Sequence, residues 1–375
     1  MRPSFQALSG SCRRNRYRST FGRSVYPDVR GCRNPYPYES VRGRNRPDPP
    51  TAACAWVTTA APGGTGHGAA RSVRAMTSIA AVMLTVDQRE KTLRCLRSWR
   101  EVREPDFEIL LWDNGSTDGT VDAVRAAFPD VHVHRHSTNL GAASGRNAAA
   151  DLAIEAFSPR LLLFLDNDMI VSPAFLKALA RPFEAGNPTL AQTTSKVLHI
   201  SDEERIYEAG GCHVNYVLGT TRLRGSNELD RGQYDAPIRC LPSSGSMMIR
   251  TDVFLEIGGF DPAFDPYGLE DIDLSTRVIE MGYHGMYIPS SVVFHERGHT
   301  FESGYTPTYA AKKARNWLIF LRKHATWYQR LGFFAIGAPL QLARVALRAI
   351  RTRDPGVIVG LIRGGLRTLM NRDDP

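Results

Sequence analysis

LLLFLDNDMIV, residues 161–171, is the stretch around which the chain organises. Five consecutive apolar residues, Leu161 to Leu165, fit a strand of a parallel sheet covered on both faces, where the pattern is continuous rather than alternating. The strand stops at Asp166, Asn167 and Asp168. In open α/β sheets the carboxyl ends of the strands form the edge at which ligands bind. Two carboxylates one residue apart beside a core are costly without a partner. A divalent cation on oxygen ligands is one such partner; a helix N-cap ahead of the Pro173 turn is the other explanation.

Moving outward, the chain alternates strands and helices from Ser78 onward. SIAAVMLTV reads as a first strand, and Glu90 to Trp99 as an amphipathic helix with Leu93, Leu96 and Trp99 at helical spacing. FEILLW (107–112) is a second strand, TVDAVRAAF (120–128) a helix, VHVHRH (131–136) a short third strand, and Gly145 to Phe157 an Ala-rich helix. Strand and helix in strict alternation predict an α/β fold, a mostly parallel central sheet with helices on both faces.

The chain has 375 residues, 42% of them hydrophobic and 23% charged, which is ordinary for a globular protein. Its net charge of +9 is unevenly spread. Residues 1–75 hold 13 Arg and no Lys for a net of +10, residues 76–330 carry −5, and residues 331–375 carry +4. The globular body is therefore mildly acidic, and nucleic acid is not an expected partner. Residues 1–75 lack periodic apolar spacing and read as a disordered Arg-rich tail. That tail is either an organelle-targeting segment or sequence upstream of a start at Met76, and no apolar h-region of a secretory signal follows its basic start. The six cysteines (12, 32, 54, 95, 212 and 240) have no framework spacing, so free thiols in a reducing, cytoplasmic setting are expected.

Three loops follow strands on one edge of the predicted sheet. In WDNGSTDGT (112–120) Asp113 ends a strand and can accept hydrogen bonds from a base or ribose, while Ser116, Thr117 and Asp118 can cap the next helix. In NLGAASGRN (139–147) Gly141 and Gly145 let backbone approach a ligand at a helix N-terminus, where Arg146 would suit a diphosphate. Neither a P-loop nor GxGxxG is present there. The third loop carries Asp166 and Asp168.

WDNGSTDGT, NLGAASGRN and FLDND, in this order and spacing, resemble the bacterial family 2 glycosyltransferases with the GT-A fold. The resemblance continues through SSGSMMIRTDVFLEIGGFDPAFDPYGLEDIDLSTRV (243–278), VVFHERGH (292–299) and ARNWLIFLRKH (314–324), and covers residues 78 to about 330. GGCHVNYVLGTTRLRG and RGQYDAP are similar to a rhamnosyltransferase-like branch. The resemblance implies a nucleotide-sugar-binding half over 76–235 and an acceptor-binding, catalytic half over 236–330. By the same resemblance Asp113 contacts the nucleobase, Asp166 holds the ribose and shares the metal site, and Asp168 ligates Mg²⁺ or Mn²⁺. His295 matches the later metal-ligand position, with His299 as the alternative, and Asp271 matches the catalytic base, with Glu270 beside it. The family usually has an Asn after the first strand, where this chain has Asp87 in TVDQRE. An Asp there can still accept from the imide N–H of the base.

The implied partners are a UDP- or dTDP-sugar and a glycan or polyprenyl-linked acceptor. Transfer from such a donor separates two charges, a leaving diphosphate and an oxocarbenium-like ring. Carboxylate-bound cations and Arg146 suit the first, and a carboxylate base suits the acceptor hydroxyl. In GLEDIDLSTRVIEMG the acids also fit a helix start, with Leu274, Val278 and Met281 as its apolar face. Trp317, Leu318, Phe320 and Leu321 read as core. LGFFAIGAPLQLARVALRAI (331–350) is broken by Pro339, Gln341 and Arg344. With Arg348, Arg351 and Arg353 it predicts amphipathic helices over 331–375, which either make peripheral contact through 331–353 at the inner face of the cell membrane or pack back on the body. Two other functions share these features: a nucleotide-sugar-binding protein without transferase activity, and a sugar-phosphate nucleotidylyltransferase. The second would want a Gly-rich basic loop after the first strand, and TVDQREKT has no glycine.

Overall fold

Strands β1 (Ile79–Thr85), β2 (Phe107–Asp113), β3 (His132–Arg135) and β4 (Leu161–Asp166) lie parallel in the order β3-β2-β1-β4. Helices α1 (Arg89–Ser98), α2 (Thr120–Ala127) and α3 (Ala142–Phe157) connect them, as the alternation predicts. The computed structural model describes residues 79–243, 245–296 and 306–370. The expectations for residues 1–75, for Met76 and for His299 lie outside these residues.

The continuous apolar run of β4 is explained by two cores, one on each face of the sheet. Leu161, Leu163 and Leu165 join Met83, Leu111, Leu96 and Phe175 on one face. Leu162 and Phe164 join Val82, Leu110, Phe260 and Leu274 on the other. Each fully buried Leu or Phe contributes about 1.5–3 kcal/mol relative to exposure. Ala149, Ala150 and Ala153 are fully buried where α3 packs against this second face, because only small side chains allow so close an approach. Sequence alone starts α3 at Gly145; it begins a turn earlier, at Ala142, because a distant carboxylate caps it.

The second half adds β5 (Met169–Val171), α4 (Phe175–Glu184), β6 (Leu190–His199), β7 (Asp202–Ala209), a small hairpin of β8 (Cys212–Asn215) and β9 (Thr220–Leu223), β10 (Ile238–Cys240), β11 (Ser246–Arg250), α5 (Thr251–Glu256), α6 (Glu270–Glu280) and β12 (His284–His295). The sheet continues from β4 through β11, β6 and β12 to β10. Strand β11 runs antiparallel to both β4 and β6, while β12 runs parallel to β6. The sheet is thus mixed, with its parallel part on the β3-β2-β1-β4 side.

Four helices follow: α7 (Pro307–His324), α8 (Trp327–Gly332), α9 (Ala338–Thr352) and α10 (Gly356–Met370), with a π-helical turn at Phe333–Gly337. Trp317, Phe320 and Leu321 are buried as expected, and Leu318 is half-buried. Helix α10 meets α7 through glycines: a Cβ on Gly360 or Gly364 would lie 2.1 or 2.2 Å from the carbonyl oxygens of Pro307 and Ala311. Val345 and Ala349 of α9 are buried, while Leu347 and Ile350 are exposed. Helix α9 therefore packs back on the body along one face and presents apolar side chains to the outside along the other.

Candidate active site

Asp166 sits inside β4, its N–H donating to the Gly245 carbonyl at 2.8 Å. Asn167 then turns inward, donating to Thr85, Gln88 and Thr92 at 2.9–3.1 Å, and that bond set fixes the direction of Asp168. Strand β12 ends at His295, which pairs with Met169 of β5. His295 Nε2 lies 3.6 Å from Asp168 Oδ1, with both side chains mostly buried. Tyr207 of β7 packs against the His295 ring, 4.5 Å between centroids with the planes tilted by 42°.

Arg146, one turn into α3, forks across the site. One terminal nitrogen donates to Asp166 Oδ1 and the other to Glu270 Oε1, each at 2.8 Å. The arginine thereby ties the end of β4 to the start of α6. Glu270 also accepts the Gly268 N–H at 2.5 Å, and burial raises its carboxyl against the opposing charge of Arg146. Asp271 is half-buried beside it, its Oδ1 accepting the Ile272 N–H at 2.8 Å. Burial and then the charges of Glu208, Asp166, Asp168 and Asp271 raise the Tyr207 phenol, so these acids act on one place.

Burial, then the charge of Asp166, pushes the Asp168 carboxyl up to about 7 from 3.8, while burial lowers His295 below 6.5. Asp168 Oδ1 and His295 Nδ1 are buried without hydrogen-bond partners. A carboxylate and an imidazole left this way fit a divalent cation, which would relieve the repulsion between Asp166 and Asp168. The expected ligand set is Asp166, Asp168 and His295. Asp166 Oδ1 is held by Arg146, and among the described residues no three His, Cys, Asp or Glu side chains are assembled to hold an ion. Asp168 and His295 form the close pair.

At two further expected positions the structure shows partners within the chain. The α3 N-terminus, read as a diphosphate seat, is filled by Asp265, which accepts from Ala143 N at 2.9 Å, from Ser144 N at 3.2 Å and from Ser144 Oγ at 2.5 Å. Gly141, at φ +93°, makes room for it, since a Cβ there would fall 2.3 Å from Asp265 Oδ1. Asp87 staples the second loop: its Oδ1 accepts from Thr117 N at 2.7 Å and Thr117 Oγ1 at 3.2 Å. That oxygen is committed within the protein. Asp113, fully buried, accepts from Ser116 N at 3.0 Å through Oδ2 and keeps Oδ1 without a partner. Asp118 acts as the cap expected of it, accepting from Thr120 N at 3.0 Å and Arg89 N at 2.9 Å.

Sequence reading did not single out Tyr207, Asp265 or Glu296. Glu296 follows His295 and pairs with Arg94 and Lys91 of α1. Asp265 caps a helix 122 residues away in the chain, a pairing that no local pattern encodes.

Comparison with known proteins bears on the family and the fold. The family described as Glycosyl transferase family 2 matches residues 81–257, and the N-terminal domain of galactosyltransferase matches 224–300. The chain is similar to an N-acetylglucosaminyl-diphospho-decaprenol L-rhamnosyltransferase of Mycobacterium tuberculosis, 27% identical over 71% of this chain and 93% of the relative. It is also similar to a validoxylamine A glucosyltransferase of Streptomyces hygroscopicus, 27% identical over 73% of this chain and 65% of that one. The crystal structure of GalNAc-T7 with UDP, GalNAc and Mn²⁺ superposes with a TM-score of 0.51 at 18% identity, over 64% of this chain and 47% of that structure. That superposition establishes a shared fold. With the strand-end acids and the ordered blocks, these matches identify the chain as an enzyme of the family 2 glycosyltransferases with the GT-A fold, on the rhamnosyltransferase-like side of the family.

Proposed function

We propose that the protein is a metal-dependent, inverting glycosyltransferase that moves a sugar from a UDP- or dTDP-sugar to a hydroxyl of a glycan or polyprenyl-linked acceptor. The observation that carries this reading is the Arg146 fork, which joins Asp166 and Glu270 beside the Asp168–His295 pair. Asp168 and His295 would hold Mg²⁺ or Mn²⁺, whose charge would neutralise the departing diphosphate. GalNAc-T7, which shares the fold and was crystallised with UDP and Mn²⁺, supports both assignments. The unpartnered oxygen of Asp113 supports a contact to the nucleobase.

Glu270 is engaged by Arg146 and by the Gly268 N–H, so it positions the start of α6. Asp271, the residue that the resemblance matches to the family's base, is the acid of that pair proposed to act as base. It takes the proton of the acceptor hydroxyl as that oxygen bonds to the anomeric carbon. The bond from that carbon to the diphosphate oxygen breaks on the opposite face, which inverts the centre. General-base help of this kind is worth about 10²–10⁴-fold. Similarity to the decaprenol-linked rhamnosyltransferase of Mycobacterium tuberculosis supports a lipid-linked acceptor and a place in cell-wall or polysaccharide synthesis. Such an acceptor fits peripheral contact with the inner face of the cell membrane through 331–353.

Release of UDP or dTDP from a panel of nucleotide-sugars tests the assignment, wild type against Asp271→Asn. A loss of about 10²–10⁴-fold in kcat with unchanged Tm is expected. Equal turnover by the two proteins would defeat Asp271 as base.

A further inference from the structure

The C-terminal helices enclose an apolar groove that the transfer chemistry does not use. Helices α7, α9 and α10 and the turn at 333–337 line about 250 Å³ with residues including Trp317, Leu318, Phe334, Leu342 and Leu366. Outside the groove these helices also expose apolar side chains, Leu347 at 57% and Ile350 at 73%, and Leu366 of its lining is 52% exposed. Charge on these helices has one sign. Between Trp327 and Met370 seven arginines stand against a single acid, Asp354. Arg344, Arg348 and Arg351 are exposed and interleave with Leu347 and Ile350 along α9. Lys313 lies on the rim of the groove and feels the charges of Arg348 and Arg344.

Trp327–Thr352 is long and apolar enough to cross a bilayer, but it is bound sideways to the body. Gln341 donates to the carbonyls of Leu218 and Gly219 at 3.0 and 3.2 Å, and Gly337 is seated so that a Cβ would lie 2.1 Å from the Val217 carbonyl. A helix fixed along its length on a protein lies flat at a surface. Apolar side chains among arginines whose stems can lie along them match a bilayer interface with anionic headgroups. We propose that the groove binds one hydrocarbon chain of an anionic, phosphate-bearing lipid, with Lys313, Arg344 and Arg348 on the phosphate and α9 and α10 resting on the bilayer around it. This deepens the membrane contact of the proposed function and rests on it, but not on the transfer chemistry.

Titration calorimetry of the full chain with dodecyl phosphate, below its micelle concentration, tests the groove. Inorganic phosphate and dodecyl maltoside are each expected to bind at least tenfold more weakly, which separates a lipid phosphate from free phosphate and from a bare chain. A Cβ at Gly365 would come no nearer than 3.9 Å to Leu318, so Gly365→Phe fills the groove without moving backbone. That variant, and Leu342→Trp as a second filler, are expected to weaken dodecyl phosphate at least tenfold with Tm retained. Equal affinity in wild type and either folded variant, or inorganic phosphate binding as tightly, overturns the site. Flotation with phosphatidylcholine vesicles containing phosphatidylglycerol reads the membrane contact separately, and the Leu347→Glu, Ile350→Glu double variant is expected to abolish it. Flotation that the double variant leaves unchanged, or a wild type that does not float, overturns the resting of α9 on the bilayer. A dimer that Leu366→Glu dissolves overturns the lipid in favour of a second copy of the chain.

Discussion

Replacing Asp273 with asparagine tests what holds the start of α6, and therefore Glu270 and Asp271, in place. The Asp273 carboxylate is fully buried. It accepts from Arg277 Nε at 2.8 Å, His324 Nε2 at 2.8 Å and Lys323 Nζ at 2.7 Å, which binds α6 to α7. Burial alone would raise its carboxyl; His324, Arg277 and Lys323 outweigh burial and hold it at about 2, down from 3.8. At 1.36 kcal/mol per pH unit that depression is worth about 2 kcal/mol. Because the folded value is the lower one, this stability is present above the unfolded value of 3.8 and is lost as pH falls toward 2. About half of it is gone by pH 3. His324 works in the other direction. Burial lowers it, but Asp273 and Glu280 raise it above 6.5, so its contribution is full below 6.5 and fades as pH rises through the folded value. Asp273→Asn takes one carboxylate from three cations, of which Lys323 keeps Asp261 and His324 keeps Glu280. Breaking a buried pair costs roughly 3–5 kcal/mol, and the partial exposure of Lys323 puts the expected loss near the low end, about 3 kcal/mol at pH 6. Urea unfolding of both proteins across pH measures the difference, in which the titration of all other groups cancels. The gap is expected to be widest between pH 5 and 6.5 and to narrow on both sides. A gap that is constant with pH, or below about 1 kcal/mol at pH 6, refutes the network as the anchor of α6.

Gly141→Ala would set a Cβ against Asp265 and force a positive φ on a non-glycine residue. With about 1–2 kcal/mol for the backbone and about 1–2 kcal/mol for the lost cap, a total near 3 kcal/mol is expected in urea unfolding. A loss under 1 kcal/mol would show that Asp265 does not cap α3 in solution. Gly245→Ala places a Cβ 2.2 Å from Asp166 Oδ2, so Asp166 must leave Arg146, and nucleotide release is expected to fall at least tenfold; unchanged release would remove Asp166 from the site. Chelation by EDTA is expected to stop turnover and added Mn²⁺ or Mg²⁺ to restore it, with Asp168→Asn needing at least tenfold more metal. Full turnover in EDTA would reject the metal assignment.

What the sequence made legible, and what it hid, follows from the range of the interactions involved. The continuous apolar run of β4 states its own burial on two faces, because a residue pointing into either core must be apolar. The strand-end acids are legible for a similar reason: a carboxylate beside a core is conspicuous without any knowledge of its neighbours. Their partners are another matter. Arg146 looked like a diphosphate ligand because it stands near a helix N-terminus, yet Asp166 and Glu270, 20 and 124 residues away in sequence, claim both arms of its guanidinium. The same N-terminus looked open to an anion, and Asp265 supplies one from 122 residues away. In both places the sequence identified the correct electrostatic need, and the fold met it from within the chain. That outcome alters the chemical argument. With the helix N-terminus and the arginine both paired to carboxylates, the proposed reading calls for added positive charge beside an incoming diphosphate. The Asp168–His295 pair, with its unpartnered buried atoms, is the place among the described residues best suited to bring it, as a cation. The internal pairing of Arg146 adds a physical argument to the proposal that transfer depends on metal, and it makes the EDTA experiment a test of the site's electrostatics as well as of its ligands.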